Sequence, residues 1–279
     1  MSSMPVTGPG SDYPLLRIGH LYASHLNVAG DGGNVVAIER RAAWRGIPTE
    51  TLPIQVGEDH DLASFDLLFI QGGQDVEMAI VAEDLGRKAA SFQRAVAAGS
   101  VIFAVCAGLQ LLGHRYIPAT GAAIEGIGLL DLETRGGDRR FMQHAACEVS
   151  FGDVPRTIVG FENHSGLTEL GAGVRPFGRV IAGAGNNGRD GTEGAVSGTI
   201  YATYLHGPIL PRNPWLADFL LRSALERRAG GPVSLSPLDD EAEDRSHAET
   251  ERRALGNRGR RTALEPARLG RGLPAEADS

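Results

Sequence analysis

A thiol nucleophile needs a turn that projects it, a base that takes its proton and donors that hold the oxyanion it creates. Three stretches of this sequence offer such parts. In "AVCAGLQLLG" (104–113), Cys106 stands where an apolar run passes into a helical pattern, with Ala104 and Gly108 two positions to either side. Small residues at those positions suit a tight strand-to-helix elbow, where larger ones would collide with backbone. The free N–H groups and partial positive charge at the start of the following helix favour thiolate over thiol. Taken alone, Cys106 also reads as a small buried hydrophobe, the common state of a free cysteine. In "YATYLHGPILP" (201–211), His206 follows a second apolar run and supplies a base; a turn histidine before Pro208 is the plainer reading. In "FIQGGQD" (69–75), Gly72 and Gly73 follow a third apolar run. Glycines there let backbone approach a substrate and turn its N–H groups inward, forming an oxyanion hole with the N–H of Ala107. An ordinary strand-to-helix turn is the alternative.

Other polar clusters carry less. "AGDGGN" (29–34) lacks both the Lys-Ser/Thr of a P-loop and the spacing of a dinucleotide site, so it reads as a loop and helix start. In "GFENHSG" (160–166), His164 and Ser165 are neighbours on an extended segment, where side chains diverge. A hydrogen-bonded turn is the preferred reading. His20, His114, His144 and His247 lie within elements or in poorly patterned segments.

The elements that would position these residues follow from periodicity. Strands are predicted over 15–22, 65–70 and 100–105, and helices over 33–46, 85–99 and directly after Cys106. Short, wholly apolar strands alternating with helices call for a parallel sheet covered on both faces, and chemistry in such sheets gathers at the strands' carboxyl ends. From about Gly126 to Leu205, strands alternate with Gly- and Asn-rich turns, predicting an antiparallel extension of the same sheet. "PWLADFLLRSALERR" (214–228) closes the fold as an amphipathic helix. The chain thus divides into a loose leader (1–13), one α/β domain (14–229) and a tail (230–279). The tail has no aromatic residue and mixes ten acids with eight arginines from Pro232 onward, so it is expected to be disordered. A helix around 241–255 is the competing expectation, because Ala, Glu and Arg favour helix.

Composition narrows the function classes. The 279 residues are 42% hydrophobic and carry 27 Lys plus Arg against 34 Asp plus Glu, a net charge of −7. With no basic cluster in the central region, nucleic acid and anionic membrane are poor partners. Two cysteines without Cys-x-x-Cys spacing argue against a disulfide scaffold or structural zinc and fit a reducing cytoplasm. No run approaches the roughly 18 apolar residues of a membrane span.

The Cys106 elbow, the "GGQD" loop and the distant His206 together resemble the class I, triad-type glutamine amidotransferases, in their cobyric acid synthase-like branch. "HLN", "GDGGN", "VCAGLQLLG", "GLLDLETR", "VGFENHSG", "GNN" and "ATYLHGPILP" extend the likeness, in order, over about Leu15 to Arg228. They narrow it to the glutaminase subunits of lipid II isoglutaminyl synthase. The tail has no counterpart in that pattern.

The resemblance implies a three-layer, flavodoxin-like α/β fold with a mostly parallel sheet, and a glutaminase that hands ammonia to an ATP-dependent, MurT-like Mur ligase partner. The pair would amidate the α-carboxyl of D-glutamate in lipid II, giving D-isoglutamine. Cys106 would be the nucleophile and His206 the base. Arg140, beside Arg139, would grip the glutamine α-carboxylate, and Gly72, Gly73, Ala107 and Gln110 would complete the substrate site. No metal or organic cofactor is implied on this chain, since ATP and Mg²⁺ belong to the partner. One departure stands out. Class I enzymes usually read His-x-Glu at the base, but here the residues are His206-Gly207-Pro208, and the resemblance implies that the partner supplies the missing acid. A stand-alone cysteine hydrolase of γ-glutamyl or peptide substrates and a non-catalytic scaffold subunit are the rivals.

Overall fold

The computed structural model describes residues 13–151, 154–256 and 263–264. In chain order the first half runs β1 (Leu16–Leu21), α1 (Gly33–Ala43), β2 (Thr49–Ile54), β3 (Leu67–Ile70), α2 (Asp75–Ala97), β4 (Val101–Val105) and α3 (Ala107–Leu112). Then come β5 (Arg115–Ile117), β6 (Ile124–Glu125), β7 (Leu132–Val149), β8 (Arg156–Leu170), β9 (Gly178–Ala182), β10 (Thr192–Glu193), β11 (Ala195–Ser197), β12 (Ile200–Thr203) and β13 (Leu205–His206). Helices α4 (Pro214–Ala229) and α5 (Glu241–Gly256) follow, and β14 (Ala263–Leu264) pairs with β7.

The first sheet has the order β11-β12-β4-β3-β1-β2, parallel throughout except for β11. Every residue of β3, β4 and β12 is buried, as strands covered on both faces must be. The edge strand β2 escaped the apolar pattern because it is only partly covered and contains Pro53, which an edge tolerates. Helix α2 begins at Asp75 rather than Leu85. Asp75 and Glu77 complement its N-terminus, and Met78, Val81, Leu85 and Phe92 bury one helical stripe. The antiparallel extension takes two forms. Strand β11 adds to the first sheet, whereas β5 to β10 and β13 build a second sheet around the long β7–β8 hairpin. Alternation along a strand reveals its two faces but not which sheet it joins.

The tail corrects the expectation of disorder at least as far as Gly256. Residues 241–256 form α5, which packs Thr250 and Ala254 against the second sheet. The segment leading to it is clamped to α1: Arg41 pairs with Asp218 at 2.6 Å and with Asp240 at 2.5 Å, and Arg45 donates to the Ser236 carbonyl at 2.7 Å. The composition is too polar to build its own core, but this segment borrows one. The remaining tail residues and the leader up to 12 lie outside the described residues. Among the described residues no helix is long and apolar enough to cross a membrane, and no group of three or more His, Cys, Asp and Glu could hold a metal ion.

Candidate active site

The register of the first sheet decides which loops meet. Val105 pairs with Thr203, Ala104 with Ile70, and Ile70 with Leu21, so β12, β4, β3 and β1 end level with one another. The residues leaving those ends are His206, Cys106, the Gly72-Gly73 loop and the "AGDGGN" loop.

Cys106 sits in the elbow with φ 48° and ψ −99°. A non-glycine residue held there costs roughly 1–3 kcal/mol, a strain that persists only where the surroundings enforce it. Its N–H donates to the Thr203 carbonyl at 2.8 Å, and its own carbonyl accepts from the Gln110 N–H at 3.1 Å. Gly108 permits the turn: a Cβ there would lie 2.4 Å from the Ile70 carbonyl oxygen. Helix α3 is only six residues long, so its dipole is a minor influence on the thiol, and the nearby imidazole is the stronger one. The sulfur is not sealed into the core. Cys106 lines a pocket together with Gly73, Gln110, Tyr116, Arg140 and His206.

His206 is buried, and its Nδ1 lies 2.7 Å from Oδ2 of Asp31, itself fully buried. The Gly207 N–H donates to the other Asp31 oxygen at 3.2 Å. Burial pulls the His206 pKa down, but the Cys106 sulfur and the Asp31 carboxylate outweigh it and raise it to about 10. The ring is therefore held as an imidazolium at neutral pH. Among the described residues its Nε2 makes no hydrogen bond of ordinary geometry, and contacts between a nucleophile and its base are often loose before substrate binds. The acid absent from the His206-Gly207-Pro208 run is thus present in this chain, 175 residues upstream. Asp31 falls in the "AGDGGN" stretch, which the sequence presents as a loop and helix start. The signal that could have found it was its position after β1, at the same sheet edge as Cys106.

The remaining predicted residues divide. Gly73, Gln110 and Arg140 line the pocket; Ala107 is the fully buried first residue of α3. Arg140 is oriented by donating to Asn163 Oδ1 at 2.8 Å, whereas Arg139 lines a different depression beside Phe141. Gly72 stands behind the pocket lining, next to the imidazole. A Cβ on Gly72 would lie 2.5 Å from His206 Cε1 and 2.8 Å from Asp31 Oδ2, so the glycine makes room for the imidazole–carboxylate pair. Gln110 donates to the Tyr204 hydroxyl at 3.1 Å, which fixes it as part of the wall. Sequence reasoning also passed over Tyr116, Asn163 and His164, all pocket residues. His114 and His247 make contacts elsewhere, with Asp131 and the Arg212 carbonyl.

This site combines a strained cysteine, an imidazolium held by a carboxylate, and a guanidinium at the far wall. Such a constellation suits acyl transfer from an amide whose substrate carries a second, anionic group. Comparison with known proteins agrees. Residues 17–214 match the CobB/CobQ-like glutamine amidotransferase domain. The chain is 36% identical to the GatD subunit of lipid II isoglutaminyl synthase (glutamine-hydrolyzing) of Streptococcus pneumoniae over 231 residues, 82% of this chain and 88% of that protein. It is 37% identical to the GatD subunit of Staphylococcus aureus over 228 residues, 82% of this chain and 91% of that protein. Solved structures share the fold at low identity. PurLQS of Thermotoga maritima has a TM-score of 0.52 at 17% identity, covering 84% of this chain and 98% of that one. The glutaminase domain of Trypanosoma brucei CTPS has a TM-score of 0.51 at 15% identity, covering 79% and 96%. The sheet order, the cysteine elbow and these likenesses agree: the chain belongs to the glutamine-hydrolysing, CobB/CobQ-like amidotransferase family, among the GatD subunits of lipid II isoglutaminyl synthase.

Proposed function

We propose that this chain is the glutaminase half of a two-subunit amidating enzyme. It hydrolyses L-glutamine at Cys106 and passes ammonia to an ATP-dependent, MurT-like ligase that amidates the D-glutamate α-carboxyl of lipid II to D-isoglutamine. The observation that carries the reading is the Cys106–His206–Asp31 arrangement at one sheet edge, in a chain that spans nearly the whole length of two GatD relatives.

The chemistry follows from the geometry. The Cys106 thiolate attacks the γ-carboxamide carbon, and the N–H groups of Gly73 and Ala107 hold the oxyanion; one such donor is typically worth about 3 kcal/mol. Arg140 grips the α-carboxylate. His206 enters as the imidazolium and gives its proton to the departing nitrogen as the C–N bond breaks, leaving ammonia and a γ-glutamyl thioester. The neutral imidazole then takes a proton from water, the resulting hydroxide attacks the thioester, and glutamate leaves as the thiolate is restored. Asp31 fixes the ring throughout and balances its charge. No step calls on a metal or organic cofactor of this chain; ATP and Mg²⁺ act on the ligase. Work takes place in the cytoplasm, where lipid II precursors and ATP meet.

Cys106→Ala, tested in the complex with its ligase subunit, abolishes glutamine-dependent amidation and spares amidation driven by added ammonia, read by mass analysis of the muropeptides. Loss of both activities makes Cys106 structural. A second reading, a hydrolase that works alone, draws support from Asp31: with the acid in place, the third group need not come from a partner. Robust glutamine turnover by the purified chain, unchanged when the ligase is added, favours it.

A further inference from the structure

The proposed mechanism leaves two buried titratable groups of the pocket unused, Tyr116 and His164, and the second is the one without a partner at a ring nitrogen. His164 lies on β8, is 3% exposed and lines the same pocket as Cys106, His206 and Arg140. Two contacts fix its ring. It stacks on Tyr204 with centroids 3.9 Å apart and planes 15° from parallel, and its Nδ1 is 2.9 Å from the Gly166 carbonyl oxygen. A carbonyl oxygen only accepts, so Nδ1 carries the proton and Nε2 is a bare lone pair. Burial, with His206 and Arg140 nearby, lowers the His164 pKa to about 3, so the ring stays neutral. Tyr204 is itself held by Thr168 and Gln110, which makes the stack rigid.

Nε2 is buried and has no partner among the described residues. A buried acceptor left unpaired is costly, and native proteins rarely keep one without use. The Arg140 guanidinium and the His206 imidazolium line the same pocket as donors, and Asp75 adds a carboxylate acceptor that the Tyr116 hydroxyl already engages. The substrate placed there brings N–H donors of its own, on the γ-carboxamide and on the α-ammonium.

We infer that His164 is a specificity-determining residue of the glutaminase site, presenting Nε2 as a fixed neutral acceptor for an N–H of the bound amide substrate. The inference rests on the glutaminase reading and adds to it. As an acceptor that stays uncharged beside two cations, His164 selects an amide or amine nitrogen over an isosteric oxygen. It cannot protonate the leaving group, so it orients and discriminates, leaving proton transfer to His206.

Binding is measured by titration calorimetry in the full-length Cys106→Ala chain, which holds substrate without turning it over. Glutamine is compared with 4-carbamoylbutanoate, which lacks the α-amine, and with glutamate γ-methyl ester, which lacks the amide N–H. His164→Phe keeps a ring on Tyr204 but removes the acceptor, and it weakens glutamine binding by roughly ten- to a hundredfold, the scale of one unmet buried hydrogen bond. The penalty vanishes for one analogue, and that analogue names the donor. His164→Gln, with an oxygen near the Nε2 position, restores part of the affinity. An equal penalty for all three ligands, or none for glutamine, overturns the inference. Failure of the Cys106→Ala chain to bind glutamine at all overturns the functional reading instead.

Discussion

The two cysteines of this chain are both buried, Cys106 at 7% exposure and Cys147 at 1%, and a sequence reader would place them in the same class. Their surroundings differ in kind. Cys147 lies within β7, paired with Ile158 on β8 and, at a register shift, with Val180 on β9. Burial first, and then the carboxylates of Glu193 and Glu162, push its thiol well above the ordinary range. Cys106 sits in a strained elbow at a sheet edge, beside an imidazolium that Asp31 keeps charged. Low exposure alone therefore does not separate the two: Cys106 lines a pocket with His206, whereas Cys147 is enclosed between strands with carboxyl groups as its charged neighbours, a difference set by which strand ends the sheet brings together.

Alkylation tests that contrast most directly. Iodoacetamide at pH 7 modifies Cys106 on the order of a hundredfold faster than Cys147, because the thiolate is the reacting species and only Cys106 has a cation beside it. Peptide mass mapping over a time course reads both sites in one sample. Comparable rates, or prior reaction at Cys147, would break the comparison at its root.

Asp31→Asn sharpens it by altering the charge without the fold. Losing the carboxylate leaves the ring without its counter-charge and free to take the wrong tautomer. The kcat for glutamine falls by about 10²–10⁴-fold, the range of a lost acid–base contribution, with KM little changed. The pH dependence adds a check. The folded pKa of His206 is raised from 6.5 to about 10, so its contribution to stability is full below about pH 6.5 and is lost as pH rises through about 10. Asp31→Asn removes one of the two groups that raise it, so in the variant the contribution is smaller and its loss is complete at lower pH. Urea unfolding of both proteins at pH 6 and pH 10.5 measures the shift. An unchanged kcat would mean that Asp31 is structural and that the acid comes from elsewhere.

The legible part of this architecture was the part written in local pattern. Strands buried on both faces show as short, mostly apolar runs, so β3, β4 and β12 are legible, and with them the edge that carries Cys106 and His206. What stayed hidden depends on contacts between distant segments. Asp31 looks like any acid in a glycine loop until β1 is placed two strands from β4. His164 looks like a turn residue because the pairing of β8 with β13, which sets Phe161 opposite His206, is not a property of either strand alone. The tail is hidden for the same reason: its order comes from Arg41 on α1 and Arg45 just past that helix, some two hundred positions earlier.

That borrowed order predicts a moderate effect. Ending the chain at Gly231 removes α5 and strips Arg41 of one of its two carboxylate partners. His247, which contacts the carbonyl of Arg212, is removed as well, while Arg212 keeps its own hydrogen bond to the carbonyl of Gly207, the residue after His206. The melting temperature falls by roughly 5–10 °C, equivalent to about 2–3 kcal/mol in a domain of this size. An unchanged melting curve would show that the tail adds nothing to the fold.

The smallest effect is reserved for the quieter cysteine. Cys147→Ala deletes one sulfur from a tight site: an ideal Cβ on Gly178 would lie 2.9 Å from that atom, so the neighbouring strands are already close and can take up part of the void. The cost is about 1 kcal/mol, or roughly 2–4 °C in melting temperature, with glutamine turnover intact. Cys147 is not among the residues that line the pocket, so any loss of turnover has to travel through the second sheet. If Cys147→Ala silenced the enzyme as fully as Cys106→Ala, the elbow would lose its claim to the chemistry, because two thiols in opposite electrostatic settings cannot both be the nucleophile of one site.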